Sequence, residues 1–272
     1  MKKGIAKVLS DKMVLVVLGV TVAAYFLLIA LPITGLFIRI SPAQIIEQLQ
    51  NPAVIDTIKL SLYTSVIATI IAFVLAVPTG YFMATRKFHG KAVLDTLIDL
   101  PLVLPPAVAG VALLYAFAPK GLLGPIFNHF NMIIPGYTIA VVIAEIFVAS
   151  PFLVRSSKLG FENIDRDVIN SAKLLTGSRL RVFFTIMLPL TIRAVLSGTM
   201  MTWARSMGEF GATLMFAGNL PGMTQTMPLA IYTFLYSEPT AGVMLSLILI
   251  VISFGVLITL KLFEQKKFGA KK

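Results

Sequence analysis

Long apolar runs, separated by short polar or proline- and glycine-bearing stretches, set the pattern of this chain. Four runs carry no charge: residues 13–38, between Lys12 and Arg39; 60–85, between Lys59 and Arg86; 100–119, between Asp99 and Lys120; and 239–260, between Glu238 and Lys261. A helix needs roughly 20 apolar residues to cross the ~30 Å core of a bilayer, so each run predicts a spanning helix. Residues 137–154 form another, interrupted only by Glu145. Residues 190–216 form a sixth, with Arg193 near its start and Arg205 and Glu209 further in. Lipid offers no partner to a bare backbone group, which favours helices over open strands. The expected fold is an all-α membrane protein of about six transmembrane helices, one domain over 1–272. The first run is longer than the h-region of a signal peptide and passes through Leu31, Pro32 and Ile33 with no small-residue cleavage site, so it reads as an uncleaved helix.

Composition agrees: 57% of residues are hydrophobic and 13% charged, against about 25% charged in a typical soluble domain. Cysteine is absent, which excludes disulfides and thiolate metal sites. The net charge of +11 suggests nucleic-acid binding until the cations are located. Nineteen lysines and arginines fall on one alternate set of segments and three (Arg39, Lys59, Lys120) on the other, with Arg205 inside a span. By the positive-inside rule this places both termini in the cytoplasm and reads the charge as a topology signal, with no nucleic-acid partner. The outer connections are 44–56, 121–136 and 218–238, and the long inner segment is 156–189.

Within that inner segment, residues 161–177 predict a helix. Phe161, Ile164 and Val168 share one face, extended by Ala172 and Leu175. Asp165 and Asp167 suit its N-terminus and Gly177 its end. Arg179, Arg181 and the run from Ile186 to Pro189 follow, with Pro189 suited to the first turn of a span. Read from the residues alone, this is either an amphipathic helix on the membrane surface or a docking element. The segment resembles the cytoplasmic signature of permease subunits of binding-protein-dependent ABC importers: Glu-Ala-Ala, three residues, Gly, then about ten residues to Ile-x-Leu-Pro. Ser171, Ala172 and Lys173 stand at the Glu-Ala-Ala place, Gly177 at the glycine, and Ile186, Leu188 and Pro189 at the end. The resemblance implies a short coupling helix docked in a cleft of a separate ATPase, carried here by Phe161, Ile164, Ser171, Ala172, Lys173, Gly177, Leu188 and Pro189. Ser171 in place of the acid, and Lys173 in place of an alanine, put any salt bridge from that acid to the ATPase in question.

A second resemblance is longer. The runs ARSMGEFGATLMFAGN (204–219), LPGMTQTMPLAIY (220–232) and DLPLVLPP (99–106) are similar to those of molybdate/tungstate permeases. It covers about the whole chain and implies the type I ABC importer permease fold, working as a homodimer in the cell inner membrane. The implied partners are a second copy, cytoplasmic ATPase subunits carrying ATP-Mg, and an extracytoplasmic oxyanion-binding protein. Sulfate permeases share the Gly208-to-Ala212 core and form the alternative within this architecture. The resemblance also implies that the fifth span lines the pathway and its gate, carried over to Met207, Gly208, Glu209, Phe210, Gly211 and Thr213. A regulatory domain found after the last span in some members has no counterpart before the chain ends, about twelve residues past Leu260.

The residues raise further possibilities. Arg205 and Glu209 form an i, i+4 pair, in the weaker order for stabilising a helix. Counted from Pro189, Arg205 lies about 24 Å along its helix, near the outer boundary. Glu145 reads as a hydrogen-bonded acid among hydroxyl side chains. A proton-coupled carrier using Glu145 or the Arg205–Glu209 pair as relay is the alternative from another class. Pro101, Pro105 and Pro106 break the start of the third span, for packing or for pathway geometry. His89 and His129 have no partner at ligand spacing. No phosphate-binding Gly-x-x-x-x-Gly-Lys-Ser/Thr loop or nucleophile elbow occurs, so no cofactor and no covalent chemistry are expected in this chain.

Overall fold

The computed structural model describes residues 2–176 and 178–268, which are helical with no strand among them. In chain order the helices are α1 (Lys2–Ile38), α2 (Pro42–Gln48), α3 (Pro52–Thr85), α4 (Lys91–Val103), α5 (Pro106–Phe117), α6 (Gly124–His129) and α7 (Thr138–Glu162). Then come α8 (Arg166–Thr176), α9 (Arg179–Val182), a π-helical turn (Phe183–Met187), α10 (Leu188–Met207), α11 (Gly211–Ala217), α12 (Met227–Ser237) and α13 (Pro239–Phe268). Five helices are long and apolar enough to cross a membrane, and there are six such spans if the bent pair α4–α5 counts as one.

Helix α7 is the axis of the bundle, packed along α3 on one side and α10 on the other. Lipid is as apolar as a leucine side chain, so burial alone does not bring spanning helices together. Close packing over small residues and interhelical hydrogen bonds do. The buried row of α3 has that composition: Ser61, Ser65, Ala68, Ala72, Ala76 and Gly80. A Cβ on Gly80 would lie 2.8 Å from Ser157 Cβ of α7, and one on Gly198 of α10 would lie 2.6 Å from Ser156 Cβ. Hydroxyls then stitch the same seams: Ser156 donates to the Ala194 carbonyl (2.5 Å) and Thr202 to the Ala149 carbonyl (3.2 Å).

Two spans are broken, the third at prolines expected to interrupt it and the fifth within a run expected to be continuous. The third is α4 and α5, bent by 114°. Pro105 and Pro106 cannot donate backbone bonds and push the residue before them out of helical geometry. Leu104 and Pro105 are accordingly extended, at ψ 135° and 133°. The fifth begins earlier than Leu190, running continuously from Leu180 to Met207. It then stops at Gly208, and α11 starts three residues later. Helix α12 pairs with α13, while α1 packs mainly on α13 and buries none of its spanning surface.

Candidate functional site

At the end of the bundle where α7 finishes, three rings lock α3, α7 and the π-helical turn together. Tyr81, Phe161 and Phe183 have centroids 4.8–5.8 Å apart. Beyond this knot the chain turns at residues 163–165. The Asp165 carboxylate accepts the Asp167 N–H (2.9 Å), and this restarts the helix as α8. Phe161 therefore belongs to the end of α7, not to the short helix that its periodicity suggested. The restart also shifts the helical phase. Ile169 and Ala172 pack toward the knot, whereas Val168 is 44% exposed. Ser171 is exposed on the outer face of α8, Ile164 is half-buried at its start, Leu188 is half-buried and Pro189 exposed at the start of α10. The backbone of Lys173 is helical, and Gly177 lies outside the described residues.

The second constellation sits where the two broken spans meet. A Cβ on Gly110 of α5 would lie 2.6 Å from the Ala212 carbonyl oxygen of α11, and one on Gly211 would lie 2.6 Å from Pro106 Cβ. These glycines let the starts of two helices touch. Glu209 holds the start of α11: its Oε1 accepts the Ala212 N–H (2.8 Å), and its Oε2 faces the Arg205 guanidinium (2.7 Å). Glu209 is buried, whereas the Arg205 side chain is 31% exposed. Of the other pathway candidates, Met207 and Thr213 are buried inside the chain, Phe210 and Gly211 are half-buried, and Gly208 is exposed.

Arg205 lies level with the middle stretch of α7. Thr202, one turn before it, bonds to Ala149, the twelfth of the 25 residues of α7. The span starts at Leu180, so Pro189 is not its first turn and a count from that proline does not fix the height of Arg205. Around this level runs a polar belt. Thr64 donates to Glu145 Oε1 (3.0 Å), the Trp203 indole N–H to Ser65 (3.1 Å), and the Met227 N–H to Ser61 (2.6 Å). Glu145 is buried in this belt, between α3 and α7.

Two ion pairs tie α4 to α7. Arg155 grips Asp99 through two guanidinium nitrogens, and Lys158 reaches Asp95 at 2.6 Å. The charge reading counts Arg155 and Lys158 as topology signals only. Acids at i and i+4 facing bases at i and i+3 are the pattern that could have revealed the contact. Helix α4 buries none of its residues, so these pairs are its main polar anchors. Among the described residues, no three His, Cys, Asp or Glu side chains come together as a metal site.

Comparison with known proteins gives this geometry its family. The family model described as "Binding-protein-dependent transport system inner membrane component" matches residues 76–268. The chain is 39% identical over 221 residues to the molybdenum transport system permease protein ModB of Haemophilus influenzae, covering 79% of this chain and 96% of that one. It is 33% identical over 255 residues to the molybdate/tungstate transport system permease protein WtpB of Thermococcus kodakarensis, covering 92% and 94%. In fold it is similar to a bacterial ABC transporter involved in import of the acidic polysaccharide alginate, with TM-score 0.75, 12% identity, and 96% and 98% of the two chains covered. It is also similar to the inward-facing MetNI methionine ABC transporter, with TM-score 0.58, 12% identity, and 77% and 94% covered. Five to six candidate spans thus carry a matching family model and relatives aligned over most of their length, and the chain belongs to the multi-pass inner membrane components of binding-protein-dependent transport systems.

Proposed function

We propose that this chain is the translocation subunit for a tetrahedral oxyanion of the molybdate/tungstate class. The end bearing α8 faces the cytoplasm, and the chain works as a homodimer with the pathway at the two-fold interface. A binding protein delivers cargo to the far end, and a separate ATPase pair docks beneath α8. The names of the relatives and the shared runs at 204–232 support the cargo; the charge asymmetry supports the orientation. The observation that carries the mechanism is the construction of α8. It is short and anchored by Ile169 and Ala172 on an aromatic knot joined to α3, α7 and α10, while Asp167, Val168, Asn170 and Ser171 face outward.

A push on α8 is therefore a push on three spanning helices. Nucleotide binding to the partner biases two arrangements of the bundle through its different contacts with α8 in each. The chain binds no nucleotide in the phosphate-loop manner and does no covalent chemistry. Its part is to hold a path and to open it at alternate ends.

Ser171→Trp tests this. The residue is exposed, so the fold tolerates the change, but the new ring blocks the docking face. The ATPase that co-purifies with the wild-type chain after mild detergent extraction is then lost, together with uptake. Retention of the ATPase with normal uptake contradicts the role of α8.

A further inference from the structure

Between the α4–α5 elbow, α7 and α10 lies a cavity of about 350 Å3 whose wall includes Pro101, Leu104, Pro106, Phe152 and Arg205. Arg205 is the one charged residue in that wall, and the cavity lies beside the middle of α7, at Val148 and Phe152. A cation at this level costs about 2.5–3.5 kcal/mol on insertion scales, and such groups face protein or a wet cavity instead of lipid. Arg205 does both. One side meets Glu209, and its side chain, 31% exposed, forms part of the cavity wall.

A helix N-terminus adds its positive end beside the ion pair. Arg205 and Glu209 cancel as unit charges. The N-terminus of the twelve-residue α5 remains, at Pro106 in the cavity wall. It carries roughly half a positive charge. The α5 terminus has no side-chain cap, while the α11 terminus is capped by Glu209. A dianion in the cavity meets a guanidinium and a helix dipole, with the nearby carboxylate already occupied. A neutralised pair of this kind attracts an anion without trapping it, as conduction requires.

We infer that Arg205 is a way-station for the oxyanion, contacting it through its guanidinium N–H groups at the cavity wall. This rests on the oxyanion reading above and adds a residue that the sequence pattern left out of the pathway.

The test separates an anion contact from simple neutralisation of Glu209. Intact transporter, with its ATPase and binding protein, is placed in proteoliposomes. Labelled molybdate uptake, ATP hydrolysis and melting temperature are then measured for wild type, R205Q, R205K and the double variant R205Q/E209Q. R205Q strands a buried carboxylate and loses both stability and uptake. The double variant removes both charges. It regains stability and hydrolysis stimulated by loaded binding protein, yet moves about tenfold less oxyanion per ATP, the scale of a lost hydrogen bond to a charged group. R205K retains an intermediate level.

Wild-type uptake per ATP in the double variant overturns the inference, as does a parallel fall of hydrolysis and uptake, since either makes Arg205 a structural partner only. A wild-type transporter that moves no oxyanion overturns the cargo assignment itself, which is a separate outcome.

Discussion

Gly110 gives the sharpest physical prediction, because the contact it permits is against backbone. Replacing it with alanine sets a methyl group 2.6 Å from the Ala212 carbonyl oxygen, 2.7 Å from Met215 Cβ and 2.9 Å from Ala212 Cα. Ordinary van der Waals contact begins near 3.4 Å, so α5 and α11 must part by roughly 0.8 Å at this point. No flexible side-chain end is available to swing away. Overpacking of this kind costs about 1–3 kcal/mol. Alanine returns about 0.5–1 kcal/mol through its lower unfolded-state entropy, leaving a net loss of up to about 2.5 kcal/mol. Gly255→Ala is the control. It lies in α13 with nothing within 4 Å of the added methyl, so it leaves stability unchanged or slightly raised. Thermal unfolding of the assembled transporter in detergent reads both. Gly110→Ala melts several degrees lower and transports less, because the contact between the two broken spans is wedged open. A Gly110→Ala protein that melts at or above wild type refutes the close-packed junction.

Other expectations follow from the same contacts. Phe161→Ala removes two ring pairs, with Tyr81 and Phe183, worth about 1–3 kcal/mol together. The seat of α8 loosens, and more ATP is hydrolysed per oxyanion moved, as single-turnover uptake assays will read. The double variant Asp95→Asn/Asp99→Asn frees α4 while costing little overall stability, since exposed pairs contribute only about 0–1 kcal/mol each. Hydrogen exchange rises in α4 alone, and high salt reproduces part of the effect. Glu145→Gln keeps the shape and the Thr64 bond, so uptake changes by no more than about threefold, the scale of one neutral hydrogen bond. A loss of transport far beyond that, with changed pH dependence, would instead favour a proton relay.

Much of the architecture was legible because the signals were local. Charge-free runs bounded by Lys12, Arg39, Lys59 and Arg86 mark spans directly, and the shared runs at 99–106 and 204–232 carry the family. The breaks were legible only in part. Pro105 and Pro106 announce an interruption, but its 114° angle depends on how α5 finds α11 through Gly110 and Gly211. Gly208 and Glu209 sit in an apolar run that hydropathy reads as continuous, yet the Glu209 carboxylate starts a new helix by taking the Ala212 N–H. Phe161 fits the period of the helix after it, but Asp165 restarts the winding and changes which residues face the bundle. The depth of Arg205 is set by the seam with α7, a distance that no residue count from Pro189 contains. The contact of Asp95 and Asp99 with Lys158 and Arg155 joins segments about sixty residues apart, so local periodicity could not pair them.

The central claim is that an external motor, acting through α8, drives an oxyanion through this bundle. Purified chain is reconstituted with and without its ATPase, binding protein is supplied on the far side, and ATP is trapped on the α8 side. The account predicts labelled molybdate accumulation that requires both the ATPase and ATP and is abolished by Ser171→Trp. Full-rate accumulation by the chain alone, driven by a proton gradient, would contradict it.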